Sequence, residues 1–320
     1  VMFNDTLTSW PEITLPGTPG LSLTVSTDYN QYTPVVITPV LSVNSPQSAL
    51  VLDNVTISRT TFALQTTVAS LTIQNCNWEN AIQVVFNAYD YTPTAFPITM
   101  TNIKATFFSS NILLEFENEI SDLQITSSTF NCVEDPAQPG YTCGAMVRYT
   151  PVIEMDSVLF SNVNMTGGDN YTSYDYSLPW IALNTTQFTM TNCYMTHMVL
   201  TPLTLHAHDI LITGSTFRRS ETATTFGCST KCSEGYGGYI YDEESGLFMT
   251  VYASVLRTLS LKNNVYYWVS SYIDYETNLS YLATSVNTFV QSNTFENSAI
   301  TVSCKDPANP AILDNNAFNR

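Results

Sequence analysis

The sequence predicts an all-β chain folded as a single right-handed parallel β-helix, a solenoid of about ten or more coils with loop insertions. Three observations predict it. A short pattern recurs along the chain, the intervals between its copies vary without helical periodicity, and a second strand precedes most copies. The pattern reads apolar, any, apolar, two polar or small residues, one small residue or Asn, any, then aromatic or apolar. Its copies begin at Leu50, Leu71, Ile98, Leu123, Ile153, Phe188, Ile210, Leu259, Thr288 and Ala311.

Each element follows from the pattern. Alternation puts the first and third residues of a copy, such as Leu71 and Ile73 or Leu123 and Ile125, on one face of a strand, and that face is the core. The polar pair then turns the chain, with Asn54, Asn75, Asn102, Asn192, Gly214 and Asn263 suited to the left-handed conformation of a sharp bend. Beyond the bend the sixth residue points inward again. At the last three copies it is Asn264, Asn293 and Asn316, which predicts a stacked Asn ladder.

The second strands are AIQVVF, ILLEF, AMVRY, WIAL, LTLHA and LFMTVYA, each ahead of its copy. Such short strands cannot bury an apolar face alone, so stacking one turn of chain on the next is the expected remedy. Residues 1–49, with LSLTV at Leu21 and VVITPVLSV at Val35, form lead-in coils. Residues 50–320 form the β-helix, interrupted by insertions near 162–179 and 219–246. Helical segments of an α/β fold and the near-constant period of a propeller are both missing from the pattern.

Composition limits the function. Ten Lys and Arg stand against 27 Asp and Glu, a formal net charge of −17, so no basic surface for nucleic acid is expected. No apolar run reaches the roughly 18 to 20 residues of a membrane-spanning helix, so no membrane insertion is expected. The opening VMFNDTLTSW is neither an initiator Met nor a signal peptide, and the expectation is a mature or excised chain.

The LxIxxxxF units followed by Asn, together with GGYIY at Gly237, resemble the right-handed β-helix repeats of the pectin-lyase-like superfamily. Within it, GGYIY, the FxxN unit Phe108 to Asn111 and FEN at Phe295 are similar to repeats of polymorphic outer-membrane adhesins and protist surface proteins. The resemblance implies a fold shared by lyases, hydrolases, tailspikes and adhesins, and so leaves activity open. The NTD, Asp-Asp, GHG and RIK motifs of the superfamily's hydrolases do not occur. Its lyases imply calcium-binding acids beside an Arg; the nearest analogue is Arg148 beside Glu115 and Glu117, equally a surface ion pair across the strands. No catalytic residue is assigned and no cofactor is expected, calcium at these acids being the one ion considered.

His206 and His208 share one strand face with Asp209 nearby, a pattern for metal ligation or simply two exposed strand histidines. No metal site is assigned. Of seven Cys, Cys132 with Cys143 and Cys228 with Cys232 lie in Gly/Pro/Ser-rich loops and are candidate disulfides, whereas Cys76 and Cys193 read as core thiols. N-glycosylation sequons occur at Asn4, Asn54, Asn164, Asn170, Asn184 and Asn278; Asn54 and Asn184 fall at expected bends, and Asn164 and Asn170 in an expected long loop. Tyr171, Tyr174, Tyr176 and Trp180 offer rings for a glycan or a partner subunit, or pack back on their own chain.

The functional expectation is an extracellular or cell-surface structural glycoprotein. It would be a rod-like scaffold stacked end to end into a filament, or part of a longer β-helical surface protein. Partners are further copies or neighbouring β-helix segments, with glycans as a second class. A polysaccharide lyase or hydrolase and a glycan-binding adhesin are the alternatives.

Overall fold

The computed structural model describes residues 13–14, 22–26, 35–36, 40–58, 61–81, 83–87, 95–108, 112–133, 145–151, 153–167, 181–198, 203–219, 249–251, 256–267, 270–274, 287–303 and 311–319. The described secondary structure is all strand. It begins β1 (Ile13–Thr14), β2 (Ser22–Ser26), β3 (Val35–Val36), β4 (Val40–Asp53), β5 (Val55–Ser58), β6 (Thr61–Gln74), β7 (Asn77–Ala81), β8 (Gln83–Asn87), β9 (Phe96–Thr101) and β10 (Lys104–Phe108). It continues β11 (Ile112–Phe116), β12 (Ile120–Thr126), β13 (Thr129–Val133), β14 (Ala145–Tyr149), β15 (Met155–Ser161), β16 (Asn164–Thr166), β17 (Ile181–Thr191), β18 (Tyr194–Met198), β19 (Leu203–Thr213) and β20 (Thr216–Arg219). It ends β21 (Met249–Val251), β22 (Thr258–Lys262), β23 (Val265–Tyr267), β24 (Ser270–Asp274), β25 (Asn287–Gln291), β26 (Thr294–Glu296), β27 (Ala299–Ser303), β28 (Ile312–Asp314) and β29 (Ala317–Asn319).

Every described pairing of these strands is parallel, and copies of the repeat lie in register. Leu71 pairs with Ile98, Ile98 with Leu123, Phe188 with Ile210, Ile210 with Leu259 and Leu259 with Thr288. One copy was misplaced by the pattern. Leu123 pairs with Val158, not Ile153, and Ile153 is 52% exposed, so this copy begins at Val158 and its sixth residue is Val163. Apolar alternation at Ile153 and Met155 mimics the motif, but the left-handed residue that marks every turn is Asn162, the fifth residue from Val158.

The turns follow the stereochemistry expected of them. Asn54, Asn75, Asn102, Asn192 and Asn263 have φ between 52° and 55°, and Gly214 has φ 61°. Asn and Gly tolerate this conformation better than other residues. Among the described residues, each left-handed residue before Asn315 donates its N–H to the strand-end carbonyl of the next copy, as Asn75 does to Thr101 and Asn102 to Thr126. Pairing therefore continues through these bends, whose backbone amides are satisfied by the next copy.

The strand pairing corrects the expected fold class. A sheet of 16 strands contains the order β14-β11-β8-β6-β9-β12-β15-β17, and β14 also pairs with β17, which closes a ring of eight parallel strands, a parallel barrel in its connectivity. A separate parallel sheet of 11 strands runs β29-β26-β23-β20-β18-β16-β13-β10-β7-β5-β3, and β24 pairs with β27 alone. This closed arrangement, and not a single β-helix solenoid, is the observed topology. The resemblance to the pectin-lyase-like superfamily and its surface-protein repeats rested on the solenoid and is corrected with it.

The physical reason lies in the long strands. The described part of the second strand WIAL, Ile181 to Leu183, and the second strand LTLHA are not separate elements but the opening residues of β17 and β19. Likewise β6 pairs with β8 through Thr61–Gln65 and with β9 through Leu71–Gln74, while β17 pairs with β14 at Ile181 and Ala182 and with β15 from Thr185 onward. At Ala69–Ser70 and Thr186–Gln187 two successive residues stay out of the core, so the inward phase slips by one position without a chain break. Neither pair holds a left-handed residue, so the strand bends and keeps pairing. These two strands join the flanking ladders at both ends and close the ring.

A single buried cluster takes in residues of both large sheets, including Leu71, Ile73, Leu123, Ile125 and Phe188 with Trp78, Phe107 and Phe130. Rings stack from strand to strand, Phe86 on Phe116 at 4.6 Å and Trp78 against Phe107 edge-on at 6.3 Å. Such pairs add about 0.5–1.5 kcal/mol beyond the area they bury.

Candidate functional site

Three described places collect chemistry. The first is the edge formed by β28 and β29, the last strands of the two large sheets. Towards this edge the buried polar residue behind each turn becomes Asn, and a four-bond rung repeats. In the first rung the Gly214 N–H donates to Lys262 O, the Ser215 N–H to Asn264 Oδ1, Asn264 Nδ2 to Ile212 O and the Val265 N–H to Ser215 O.

The second rung repeats those roles in Asn263 to Gln291 O, Asn264 to Asn293 Oδ1, Asn293 Nδ2 to Leu261 O and Thr294 to Asn264 O. The third uses Ser292 to Asp314 O, Asn293 to Asn316 Oδ1, Asn316 Nδ2 to Val290 O and Ala317 to Asn293 O. All twelve bonds fall between 2.8 and 3.1 Å. Two residues beyond each ladder residue stands a ring. Phe217, Tyr266, Phe295 and Phe318 stack at 5.5, 4.8 and 5.0 Å, with interplanar angles of 15°, 7° and 9°. Burial pushes the phenol of Tyr266 well above its ordinary range, against a hydrogen bond with Asn264 that opposes the shift.

The stack ends in the open. Phe295 is fully buried, whereas Phe318 is 61%, Leu313 55% and Ile312 44% exposed. Among the described residues no strand lies beyond β28 or β29. A row of backbone groups beside exposed apolar side chains is the usual template for adding another strand.

The second place is the histidine pair. His206 and His208 both face Glu154 Oε1, from Nδ1 at 3.4 Å and Nε2 at 3.6 Å, and His206 Nδ1 also lies 2.9 Å from Asn184 Oδ1. Asp209, the neighbouring acid, is turned to Arg257 at 2.7 Å. Among the described residues no group of three or more His, Cys, Asp and Glu side chains is arranged to hold a metal ion. Glu154 and Asn184 were not foreseen as partners. The register that sets Asn184 opposite His206 supplies the missing signal, and it depends on placing β17 against β19.

The third is Arg148, whose Nη1 lies 4.0 Å from Glu115 Oε1 on the paired strand, while Gln83 Nε2 donates to Glu115 Oε2 from the other side. Glu115 is thus held by two neighbours in a cross-strand row. Burial, and then the charge of Glu115, raise the Glu117 carboxyl above its ordinary value. An ion pair this long, with the arginine exposed to solvent, adds little stability.

Of the sequons, Asn54 sits at a left-handed turn as expected. Two placements are corrected: Asn164 opens β16 and Asn184 lies within β17, because the regions read as loop and bend are paired strand. Asn4, Asn170 and Asn278 lie outside the described residues, as do Tyr171, Tyr174, Tyr176 and Trp180. The 162–179 insertion is described only to residue 167, where it is turn and strand, and the 219–246 insertion only at residue 219.

Cys132 is disulfide-bonded; Cys143, Cys228 and Cys232 lie outside the described residues. Cys76 and Cys193 are buried free thiols, each hydrogen-bonded to a backbone carbonyl, and burial pushes both up to about 11. No protein-family model matches the chain, and no curated protein sequence is significantly similar to it.

Proposed function

We propose that the chain is a structural component of an extracellular or cell-surface assembly, a scaffold of stacked parallel strands that is extended edge to edge. The observation that carries this reading is the open edge at β28 and β29, where Ile312, Leu313 and Phe318 stand exposed beside two strands with one paired side each. An uncovered parallel edge with apolar side chains favours further strand pairing, which soluble proteins ordinarily block with charge, Pro or a covering element. The disulfide at Cys132 supports an oxidising compartment. Glycans on turn sequons such as Asn54 belong to the same proposal.

Electron microscopy of the native assembly tests it. The expected result is elongated particles in which the chain is a repeating or internal segment. Isolated particles of single-chain size at every concentration would overturn the scaffold reading.

A further inference from the structure

Asn164 and Thr166 are the outer residues of β16, because Met165 between them is buried in the core. They are the two polar members of one sequon, and the strand sets both on the solvent side of the 11-stranded sheet. Backbone pairing fixes them there, with the Asn164 N–H donating to Ser128 O and the Tyr194 N–H to Val163 O, each at 2.9 Å. Asn164 is half-buried, yet its Oδ1 is fully covered and has no hydrogen-bond partner among the described residues, so the amide rests with its oxygen against the sheet. Asn184, the other sequon within a strand, differs. Its Oδ1 lies 2.9 Å from His206 Nδ1, inside the histidine cluster.

The cross-strand neighbours of Asn164 are unequal. On one side the register places the small Thr129; on the other stands Tyr194, 43% exposed, with the small Thr216 beyond it. Neighbouring strands lie about 4.8 Å apart, so the phenol is one strand spacing from the Asn164 amide. Small residues leave room for a bulky group at Asn164, and the open ring gives that group a face to lie on. The negative face of an aromatic ring attracts the C–H groups of a pyranose.

Resting on the extracellular reading, we infer that Asn164 carries an N-linked oligosaccharide whose first sugar, an N-acetylhexosamine, packs on Tyr194. The donor is a lipid-pyrophosphate-linked oligosaccharide. Asn164 Nδ2 attacks C1 of its first sugar, and the N–C bond forms as the C1–O bond breaks. The lipid pyrophosphate leaves with the electron pair, and Nδ2 gives up one proton. Thr166 supplies the hydroxyl that makes Asn164 an acceptor, and in the folded chain it accepts from Thr196 Oγ1 at 3.4 Å. A bulky, hydrophilic glycan here keeps the outer face of β13, β16 and β18 in solvent, so the contacts of the scaffold lie elsewhere.

Glycopeptide mapping of the native chain tests attachment, and chemical denaturation of the secreted full chain with Tyr194→Ala, Asn164→Gln and both changes tests the ring. The expected result is an oligosaccharide on Asn164 that Thr166→Ser retains and Thr166→Ala removes. Tyr194→Ala should lower the denaturation midpoint of the glycosylated chain and leave that of the Asn164→Gln chain unchanged within error. Equal shifts in the two backgrounds would overturn the role of the ring. An unmodified Asn164 beside a modified Asn54 would overturn the site while the extracellular reading stands. If no sequon of the native chain is modified, the inference and the glycoprotein part of that reading fall together.

Discussion

Gly214 shows how much one position can decide. Its φ of +61° is strained for most residues, and a Cβ placed there would stand 2.5 Å from Asn192 Oδ1. The other described turns hold Asn or Ser at this position; at Gly214 the Asn192 amide occupies the space a Cβ would take. Gly214→Ala is therefore expected to cost about 1–3 kcal/mol, read as a lowered midpoint in chemical denaturation. Asn75 and Asn102 make a second row outside the core, with Asn102 Nδ2 donating to Asn75 Oδ1 and Asn75 Nδ2 to Asp53. The sequence announced these turn residues because few side chains accept the left-handed conformation.

The buried thiols of Cys76 and Cys193 make a pH prediction. Each folded pKa, about 11, lies above the ordinary 9.0, because burial penalises the thiolate. Their contribution to stability is fully present below pH 9 and is lost as pH rises through 11. At roughly 1.4 kcal/mol per pH unit the gap amounts to about 3 kcal/mol per thiol. Denaturation midpoints should fall between pH 9 and 11, and both thiols should resist alkylation at pH 8 until the chain unfolds. Rapid native-state labelling of either would contradict their placement.

Among the elements, the Asn ladder was legible in the repeat, because its sixth position faces the interior; the ring stack two residues beyond it emerges from the register of the strands. Asn293 accepts from the Asn264 N–H and donates to Leu261 O, so Asn293→Ala strands two backbone groups. About 1–3 kcal/mol is expected for each group left unpaired, against under 0.5 kcal/mol for an exposed control such as Lys104→Gln. Thermal denaturation of the two variants separates these outcomes. What the repeat did not reveal was continuity. The alternation within β6 and β17 slips by one residue at Ala69–Ser70 and Thr186–Gln187, which on paper resembles a corner between separate strands. Backbone pairing persists through both places and closes the ring. The copy at Val158 was likewise missed because Ile153 and Met155 alternate convincingly; the turn at Asn162 distinguishes them.

For the molecule as a whole, the described polar residues serve mostly to bind one strand to the next. Glu115 is held by Gln83 and Arg148, the histidines by Glu154 and Asn184, and the ladder asparagines by one another. Charge composition and the scarcity of basic residues were readable in advance; which strands form the open edge was not, since that depends on the full order of pairing. The exposed Phe318 and Leu313 concentrate apolar surface where hydrogen-bonding capacity also remains.

Hydrogen–deuterium exchange across residues 311–319, compared between the isolated chain and the native assembly, tests the open edge most directly. Asn315 and Asn316 amides should exchange rapidly in the isolated chain and be protected by at least tenfold in the assembly, where a further strand accepts them. Equal, rapid exchange in both would contradict strand addition at this edge, and with it the structural role assigned to the chain.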